Sequence, residues 1–461
     1  MGGSHSMDLE KIFKPETIAV IGVSLTNAAH PANVIYNKNR LRYEARTFAV
    51  NPRGGRIRAD VLYGSLNEIP EKIDLAVIAV KAELVYPVVE ECINSGVKGA
   101  IIVSGGFAET GLSDLQDRLV ALAREAQFPF IGPNCLGVYA APRMDTFFIP
   151  SERMVRPEKG KVTMISQSGG VVVDQMVKAT AEGVGLSTAI SIGNKALIKE
   201  ADLLRYFAGD PGTDVITFYI EGFGKNEGRE FALAASECKK PVIVLKSGKT
   251  SAGNKAVSSH TASMAGDYQV FSSVMAQKGV VEATDEFELM AFAESLSCYP
   301  RNIDGKIGII TGSGGHGALC TDACISHGLV VPVLNEETQR AIKEALSPVL
   351  SNIASCANPV DLTGSSTDDD FLATARVLSK SPDIDCIIML LLPYIPGITV
   401  DIGAKLGMMH QQEGKPIIAY VPHVEKYRII VEGFNAYTIP VAHSVEDAVH
   451  MAEAMRRNKS C

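Results

Sequence analysis

Apolar and polar positions along this chain repeat on two scales. Short aliphatic and β-branched runs alternate with stretches in which apolar residues return every three or four positions. The runs at 17–21, 47–50, 75–80, 99–103 and 128–131 are apolar almost throughout. That is the pattern of strands buried on both faces. Helical periodicity fills 84–95 and 113–126 between them. A second block starts at 162–166 and continues with runs at 188–192, 215–220 and 242–245, with helices expected after Gly169, Glu200, Asn226 and Asp267. A third starts at 307–310, continues at 386–392 and 416–421, and ends in a helix over about 444–458. Strand and helix in alternation predict parallel sheets covered by helices, an α/β architecture of doubly wound domains. Polar, proline-bearing segments at 142–161 and 299–305 are expected linkers. The expected domains are 7–145, 155–299 and 305–461.

Length agrees with this division: 461 residues at roughly 150 per domain give three. Apolar residues are 46% and charged residues 21%, which excludes a disordered chain. A formal net charge of −8 argues against a nucleic-acid binder. No apolar run approaches the roughly 18 residues of a membrane span, so no membrane partner is expected. The nine cysteines have no pairing logic and read as reduced thiols. Cys320 and Cys324 share one face of an expected helix, but no second pair has ligand spacing, and no metal site is expected. The N-terminus lacks an apolar signal core, and a cytoplasmic location is expected. Residues 1–6 read as an expression scar before Met7 and are excluded from function, His5 with them.

Each block opens with a strand, a turn of small residues and a helix. In the first, Ile21-Gly22-Val23-Ser24 lets backbone N–H groups approach an anion. It carries one of the three glycines of a dinucleotide fingerprint. The following strand ends in Asn51-Pro52-Arg53-Gly54-Gly55, with a cation where an NAD site has a ribose-binding carboxylate. Three further loops lie at strand C-termini, at 80–82 (VKA), 104–107 (SGGF) and 132–137 (GPNCLG). Ligands of open α/β sheets bind at that edge, and several small-residue loops along it suit a long ligand.

The second block turns at Ser166-Gln167-Ser168-Gly169-Gly170. Ser168 can cap the helix or donate to a phosphoryl oxygen, and the glycines keep side chains away from the free N–H groups. A plain capped turn fits these residues equally well. His260 is expected in a mobile loop of small polar residues, 246–266, a poor home for a packing histidine. No second ligand lies near it in sequence, so nucleophilic catalysis suits it better than metal binding. Glu221, at the end of the 215–220 run, is the candidate to orient the imidazole. In the third block His316, within 311–317 (TGSGGHG), reads as turn chemistry.

Taken together and in order, these motifs resemble one family. The carriers are 19–24 (AVIGVS), 51–55 (NPRGG), 132–137 (GPNCLG), 165–169 (ISQSG), 192–195 (IGNK), 200–204 (EADLL), 245–248 (LKSG), 259–261 (SHT) and 358–364 (NPVDLTG). The chain resembles the α subunit of nucleoside-diphosphate-forming acyl-CoA synthetases, of the ADP-forming acetate–CoA ligase type, within the succinyl-CoA synthetase superfamily. The resemblance implies a Rossmann-like CoA-binding domain followed by two flavodoxin-like domains. It implies that coenzyme A lies against Gly22, Ser24, Asn51, Arg53, Val80, Ser104 and Asn134. It implies that His260 is phosphorylated transiently, with the phosphoryl group held at Ser168, Gly169 and Gly170 and Glu221 as the orienting carboxylate. The family's third-block turn usually has Pro where this chain has His316. The family also uses an ATP-grasp domain, and nothing after Asn358 resembles one. A separate β subunit is therefore implied, in an α2β2 assembly, holding ADP or ATP with Mg2+. The small-molecule partner would be a carboxylic acid or its acyl-CoA.

Two other readings stay open from the residues. One is a CoA-binding or CoA-sensing protein without ligase activity, separated by the absence of a phosphoenzyme. The other is a nicotinamide-dependent oxidoreductase, against which the missing glycines and ribose carboxylate count.

Overall fold

The structure is a computed structural model. It describes residues 7–260 and 267–459, without the side chains of 258–260. The chain divides into two compact units, Met1–Glu282 and Ala283–Cys461.

The first unit contains a seven-stranded sheet in the order Gly55–Ile57, Asp60–Tyr63, Arg46–Val50, Thr17–Ile21, Leu75–Ile78, Gly99–Ile102, Phe130–Ile131. Its strands are parallel except for the hairpin at one edge. Every position of Thr17–Ile21 is buried, as expected for a strand covered on both faces. The strand order reverses between Thr17–Ile21 and Leu75–Ile78, the topological switch point at which such sheets bind ligands.

A second seven-stranded sheet runs Val281–Ala283, Val242–Lys246, Val215–Ile220, Lys159–Ser166, Leu186–Ser191, Gly137–Ala140, Met144–Asp145. The central strands are parallel, and the last two join antiparallel. The segment expected as a linker over 142–161 is therefore partly a strand. Two of its polar residues, Asp145 and Thr146, are buried, while Glu152, Arg153, Glu158, Lys159 and Lys161 are exposed. Asp145 is fully buried and receives the Lys38 ammonium at 2.8 Å. Lys38 also donates to the Phe147 carbonyl at 2.5 Å, and the Asn39 amide bridges the Ile35 and Asp145 carbonyls. Burial pushes the Lys38 ammonium down, against the pull of Asp145. A polar composition thus signals exposure only while its groups lack partners.

The loop expected over 246–266 contains the helix Ser251–His260. Gly248, two residues past the strand Val242–Lys246, has φ +73°, and the Thr250 hydroxyl accepts the Gly253 N–H at 3.0 Å. Ala252, Lys255 and Ala256 are good helix formers, so the small-residue composition permits a helix as readily as a loop. Residues 261–266 lie outside the described residues.

The second unit carries a five-stranded parallel sheet in the order Val360–Asp361, Ile307–Thr311, Cys386–Leu390, Ile417–Tyr420, Val441–Ala442. The helices Glu286–Cys298 and Val445–Arg457 pack together, with the Ser295 hydroxyl donating to the Met451 carbonyl at 2.7 Å. His316 lies in the first turn of the helix Gly314–Ser326, its Nδ1 3.2 Å from the Ser313 hydroxyl. Cys320 and Cys324 are buried on that helix, and the described cysteines are all free thiols. No helix among the described residues is long and apolar enough to cross a membrane.

Candidate functional site

The site begins at the C-terminal ends of the first sheet. Gly22 follows Thr17–Ile21 with φ +102°, and a Cβ there would stand 2.3 Å from the Ala79 carbonyl oxygen. Only glycine lets the first turn approach the neighbouring strand this closely. The Asn33 side chain holds Ser24 at both backbone groups, at 2.7 and 2.8 Å, and the Ser24 hydroxyl accepts the Asn27 N–H at 3.0 Å. The helix then starts later than the turn suggests, at Pro31, capped by His30. Asn51 donates to the Val23 carbonyl at 2.9 Å and accepts the Arg53 N–H at 2.9 Å, which ties the second turn to the first. The Arg53 side chain is exposed.

The other three loops close on the same edge. The Ser104 hydroxyl accepts the Val80 N–H at 3.1 Å, and the Ser104 carbonyl accepts the Asn134 N–H at 2.8 Å. Gly22, Ser24, Asn51 and Arg53 thus form one linked group at this edge, and Val80, Ser104 and Asn134 another. The two groups meet where the Gly22 position abuts Ala79 and Val80.

From Asn134 the contacts pass to the second sheet. Asn134 donates from its side chain to Asn194 at 3.2 Å, and Asn194 donates to Glu109 at 2.5 Å and Gln116 at 3.0 Å. A Cβ at Gly193 would meet the Asn134 and Pro133 carbonyls at 2.4 Å. Leu136 donates its N–H to the Ser191 hydroxyl at 3.1 Å, and a Cβ on Gly169 would lie 3.2 Å from the Leu136 Cβ. Glu109 also accepts the N–H groups of Gly106 and Phe107 at 2.6 and 3.1 Å. Burial alone would raise its carboxyl, but these donors and Asn194 hold it below its ordinary value.

The second turn starts the helix Gly169–Ala181, with Ser168 as N-cap. The Ser168 hydroxyl accepts the Val171 N–H at 3.4 Å, a long bond. A Cβ at Gly170 would meet nothing within 4 Å. The helix start therefore has open space beside N–H groups that favour an anion, and it fits a phosphate.

Gln167 joins this turn to Glu221. Its amide oxygen accepts the N–H groups of Glu221 at 2.7 Å and Gly222 at 3.1 Å, and its nitrogen donates to the Gly222 carbonyl at 2.9 Å and to Glu200. From the other side the buried Lys246 ammonium donates to the Glu221 carbonyl at 2.7 Å. Burial lowers the affinity of that ammonium for its proton. Beneath the loop, Lys195 bonds the Gly222 carbonyl at 2.9 Å, Glu200 at 2.9 Å and Glu227 at 2.8 Å. Gln167, Asn194 and Lys195 had no assigned role in the sequence. Gln167 sat inside the motif at 165–169 and the other two inside 192–195, so the signal was present as motif membership alone. The helix Ser251–His260 ends at His260, whose side chain lies outside the described residues.

Comparison with known proteins agrees with this organisation. A CoA binding domain matches residues 16–141, a succinyl-CoA ligase like flavodoxin domain matches 159–296, and a ligase-CoA domain matches 307–405. The acetate–CoA ligase (ADP-forming) II subunit alpha of Pyrococcus furiosus is 33% identical over 94% of this chain and 95% of its own length. The chain belongs to the ADP-forming acetate–CoA ligase family. Acetate–CoA ligase (ADP-forming) I of Archaeoglobus fulgidus is 38% identical over 84% of this chain, which spans about half (55%) of that relative. Among solved structures, the dinucleotide-forming acetyl-coenzyme A synthetase 1 of Ca. Korarchaeum cryptofilum, in complex with phosphate and ADP, superposes with a TM-score of 0.87. It is 30% identical and is covered over 97% of its length by 98% of this chain.

Proposed function

We propose that this chain is the α subunit of an ADP-forming acyl-CoA synthetase, interconverting acyl-CoA, phosphate and ADP with carboxylic acid, CoA and ATP. Residues 7–145 hold CoA, with its thioester end directed along the Ser104–Asn134 loops toward the second sheet. Residues 155–299 carry the phosphoryl chemistry. Residues 305–461 form the third domain.

Phosphate attacks the acyl carbon of the thioester. The C–S bond breaks, CoA leaves as the thiol, and an acyl phosphate remains. The His260 imidazole then attacks phosphorus, the P–O bond to the acyl group breaks, and the carboxylate leaves. ADP takes the phosphoryl group from the imidazole nitrogen, which gives ATP and regenerates the free ring. Ser168, Gly169 and Gly170 hold the phosphoryl oxygens at the helix start. Glu221 accepts from the other imidazole nitrogen, fixing the tautomer and favouring the nitrogen lone pair as nucleophile. Positioning and anion stabilisation are the work required in such reversible transfers. A partner β subunit with an ATP-grasp domain binds the nucleotide with Mg2+, in an α2β2 assembly. The naming of relatives as alpha subunits supports a partner.

The observation that carries this reading is the Gln167 clamp. It ties the Glu221 backbone to an open helix N-terminus in the domain whose helix Ser251–His260 ends at the candidate nucleophile. The test is labelling by radioactive ATP and Mg2+ with the β partner present. The label is expected to be acid-labile, base-stable and lost in His260→Ala, while CoA binding stays at the wild-type level. Equal labelling of wild type and His260→Ala overturns the assignment.

A further inference from the structure

The last two strands of the second unit's sheet, Ile417–Tyr420 and Val441–Ala442, run parallel and pair Tyr420 with Ala442. His443 follows directly on the second strand, and His423 lies in the loop that follows the first. Strand pairing therefore brings both imidazoles to one edge of the sheet, although neither has a metal ligand's spacing along the sequence. The rings meet edge to face, with centroids 4.2 Å apart and planes at 68°. A nitrogen of one ring lies within 4.8 Å of a nitrogen of the other.

The two halves of this pair are held differently. His443 is half-buried, and its Nδ1–H donates to the Val421 carbonyl at 3.3 Å. Val421 is itself buried, and its N–H donates to the Ala442 carbonyl at 3.0 Å, so that acceptor is fixed by the sheet. A neutral ring that donates from Nδ1 carries its lone pair at Nε2, and a backbone carbonyl in this position is what orients a metal-ligating histidine. His423 is exposed, at the centre of a tight turn closed by the Val424 N–H on the Pro422 carbonyl at 2.9 Å. Pro422 stiffens the entry to the turn. The His423 ring makes no hydrogen bond among the described residues.

Two nitrogens on one tetrahedral zinc ion stand about 3.3 Å apart, given Zn–N bonds of about 2.0–2.1 Å. Rotation of the exposed His423 side chain closes the remaining gap, while His443 stays anchored. We propose that His423 and His443 together bind one divalent late transition-metal ion of the zinc class, with water at its other positions. Paired imidazoles select such an ion over magnesium or calcium, which take oxygen ligands. The ion would tie the turn at His423 to the entry of the helix Val445–Arg457, and its binding would stabilise this edge by mass action. The site is separate from the phosphoryl chemistry, and the inference does not rest on the acyl-CoA synthetase reading.

The test is calorimetry of Zn2+ on the full chain, in the wild type, His423→Ala and His443→Ala. Ions held at other histidines or at the cysteines are common to all three proteins and drop out of the comparison. The wild type is expected to show a saturable site in the micromolar range that a large excess of Mg2+ leaves in place. Each variant is expected to weaken that site at least roughly tenfold, the scale on which even a ligand's supporting partners act. His423 is exposed, so its replacement leaves the core intact, and it decides the matter if His443→Ala folds poorly. His316→Ala, elsewhere in the same unit, is expected to bind Zn2+ as the wild type does. With Co2+ as the probe, the wild-type spectrum is expected to lack the intense near-ultraviolet band of thiolate ligation, and Zn2+ is expected to raise Tm in the wild type but not in the two variants. Zinc affinity within twofold of the wild type in His423→Ala overturns the proposal. So does a thiolate band that His423→Ala leaves unchanged. Variants that lose stability while keeping the zinc site would make the two rings a packing pair, and the proposal is likewise overturned.

Discussion

The side chain of Gln167 holds the backbone of Glu221 as a neighbouring strand would, accepting its N–H at 2.7 Å. The Lys246 ammonium takes the Glu221 carbonyl at 2.7 Å, so both backbone groups of this residue are tied by side chains, one at the end of the strand Val242–Lys246 and one just past the strand Lys159–Ser166. Gly222 is bound in the same way, by Gln167 at its N–H and by Gln167 and Lys195 at its carbonyl. A carboxylate on a pinned backbone is preorganised and loses little freedom when it meets its partner. Gln167 is a positioning residue, and Ser168 beside it begins the anion-binding turn.

Gln167→Met keeps the length of the side chain and removes all four of its bonds. Leaving the Glu221 and Gly222 N–H groups unsatisfied costs about 1–3 kcal/mol each where they are buried. A displacement of Glu221 by about 1 Å is enough to slow phosphoryl transfer by about a hundredfold. Rapid-quench labelling should show that loss, with CoA affinity as in the wild type. Labelling at the wild-type rate would remove Gln167 from the mechanism.

Gly22→Ala tests the first turn. The new Cβ would stand 2.3 Å from the Ala79 carbonyl oxygen, and φ at this position is +102°. The closest obstacle is the Ala79 backbone carbonyl, which cannot swing aside as a flexible side chain would, and the Val80 Cγ1 stands 3.0 Å away as well. The variant is expected to lose about 2–3 kcal/mol of stability, within the range of strained backbone sites, and most of its CoA affinity. Urea unfolding and calorimetry with CoA check the two parts. A variant with normal stability and normal CoA binding would mean that this turn is not where CoA approaches.

Much of this was legible in the sequence, and the failures share a cause. Parallel strands such as Thr17–Ile21 and Cys386–Leu390 are buried at every position, and an uninterrupted apolar run is a direct record of that. The strand-to-helix turns were legible because close backbone approach demands small residues, as at Gly22 and Gly169. The segment 142–161 misled because composition does not report that Asp145 is buried with Lys38 as its partner, nor that the strand Lys159–Ser166 begins among exposed lysines. The helix Ser251–His260 misled because Ser, Ala and Gly suit loops and helices alike. The Gln167 clamp was illegible because its partners lie 54 and 55 residues away in sequence and are backbone groups, which every residue has.

Arg53 tests the electrostatic part of the CoA reading. Its side chain is exposed, at the end of the turn that Asn51 ties to Val23. A guanidinium there can pair with the phosphates of CoA. Arg53→Ala is expected to weaken CoA about tenfold at low ionic strength, and the difference should shrink as salt screens an exposed pair. Calorimetry across a salt series reads this directly. A salt-independent loss would point to a lost packing contact instead.

Glu227 gives the clearest pH prediction. Burial alone would raise its carboxyl. Lys195 at 2.8 Å, the Gly224 N–H at 2.7 Å and Lys199 at 2.9 Å outweigh that and hold it at about 2, below an ordinary value of 4.5. A carboxyl depressed in the folded state stabilises the fold above its unfolded value, and that contribution is lost as pH falls through the folded one. The window is therefore from about 4.5 down to about 2. At about 1.4 kcal/mol per unit, the contribution at neutral pH is about 3 kcal/mol for this largely buried side chain. Glu227→Gln should lower Tm at neutral pH by several degrees. The gap to the wild type should then close as pH falls through the window, because the wild-type carboxyl becomes neutral as well. Glu109 and Asp210 are also held below their ordinary values, so both proteins retain a common acid slope. Thermal melts of the pair across pH 7 to 2 separate the two parts. A gap that stays constant throughout would mean that the Lys195–Glu227 pair adds shape to the loop under Glu221 but no charge-dependent stability.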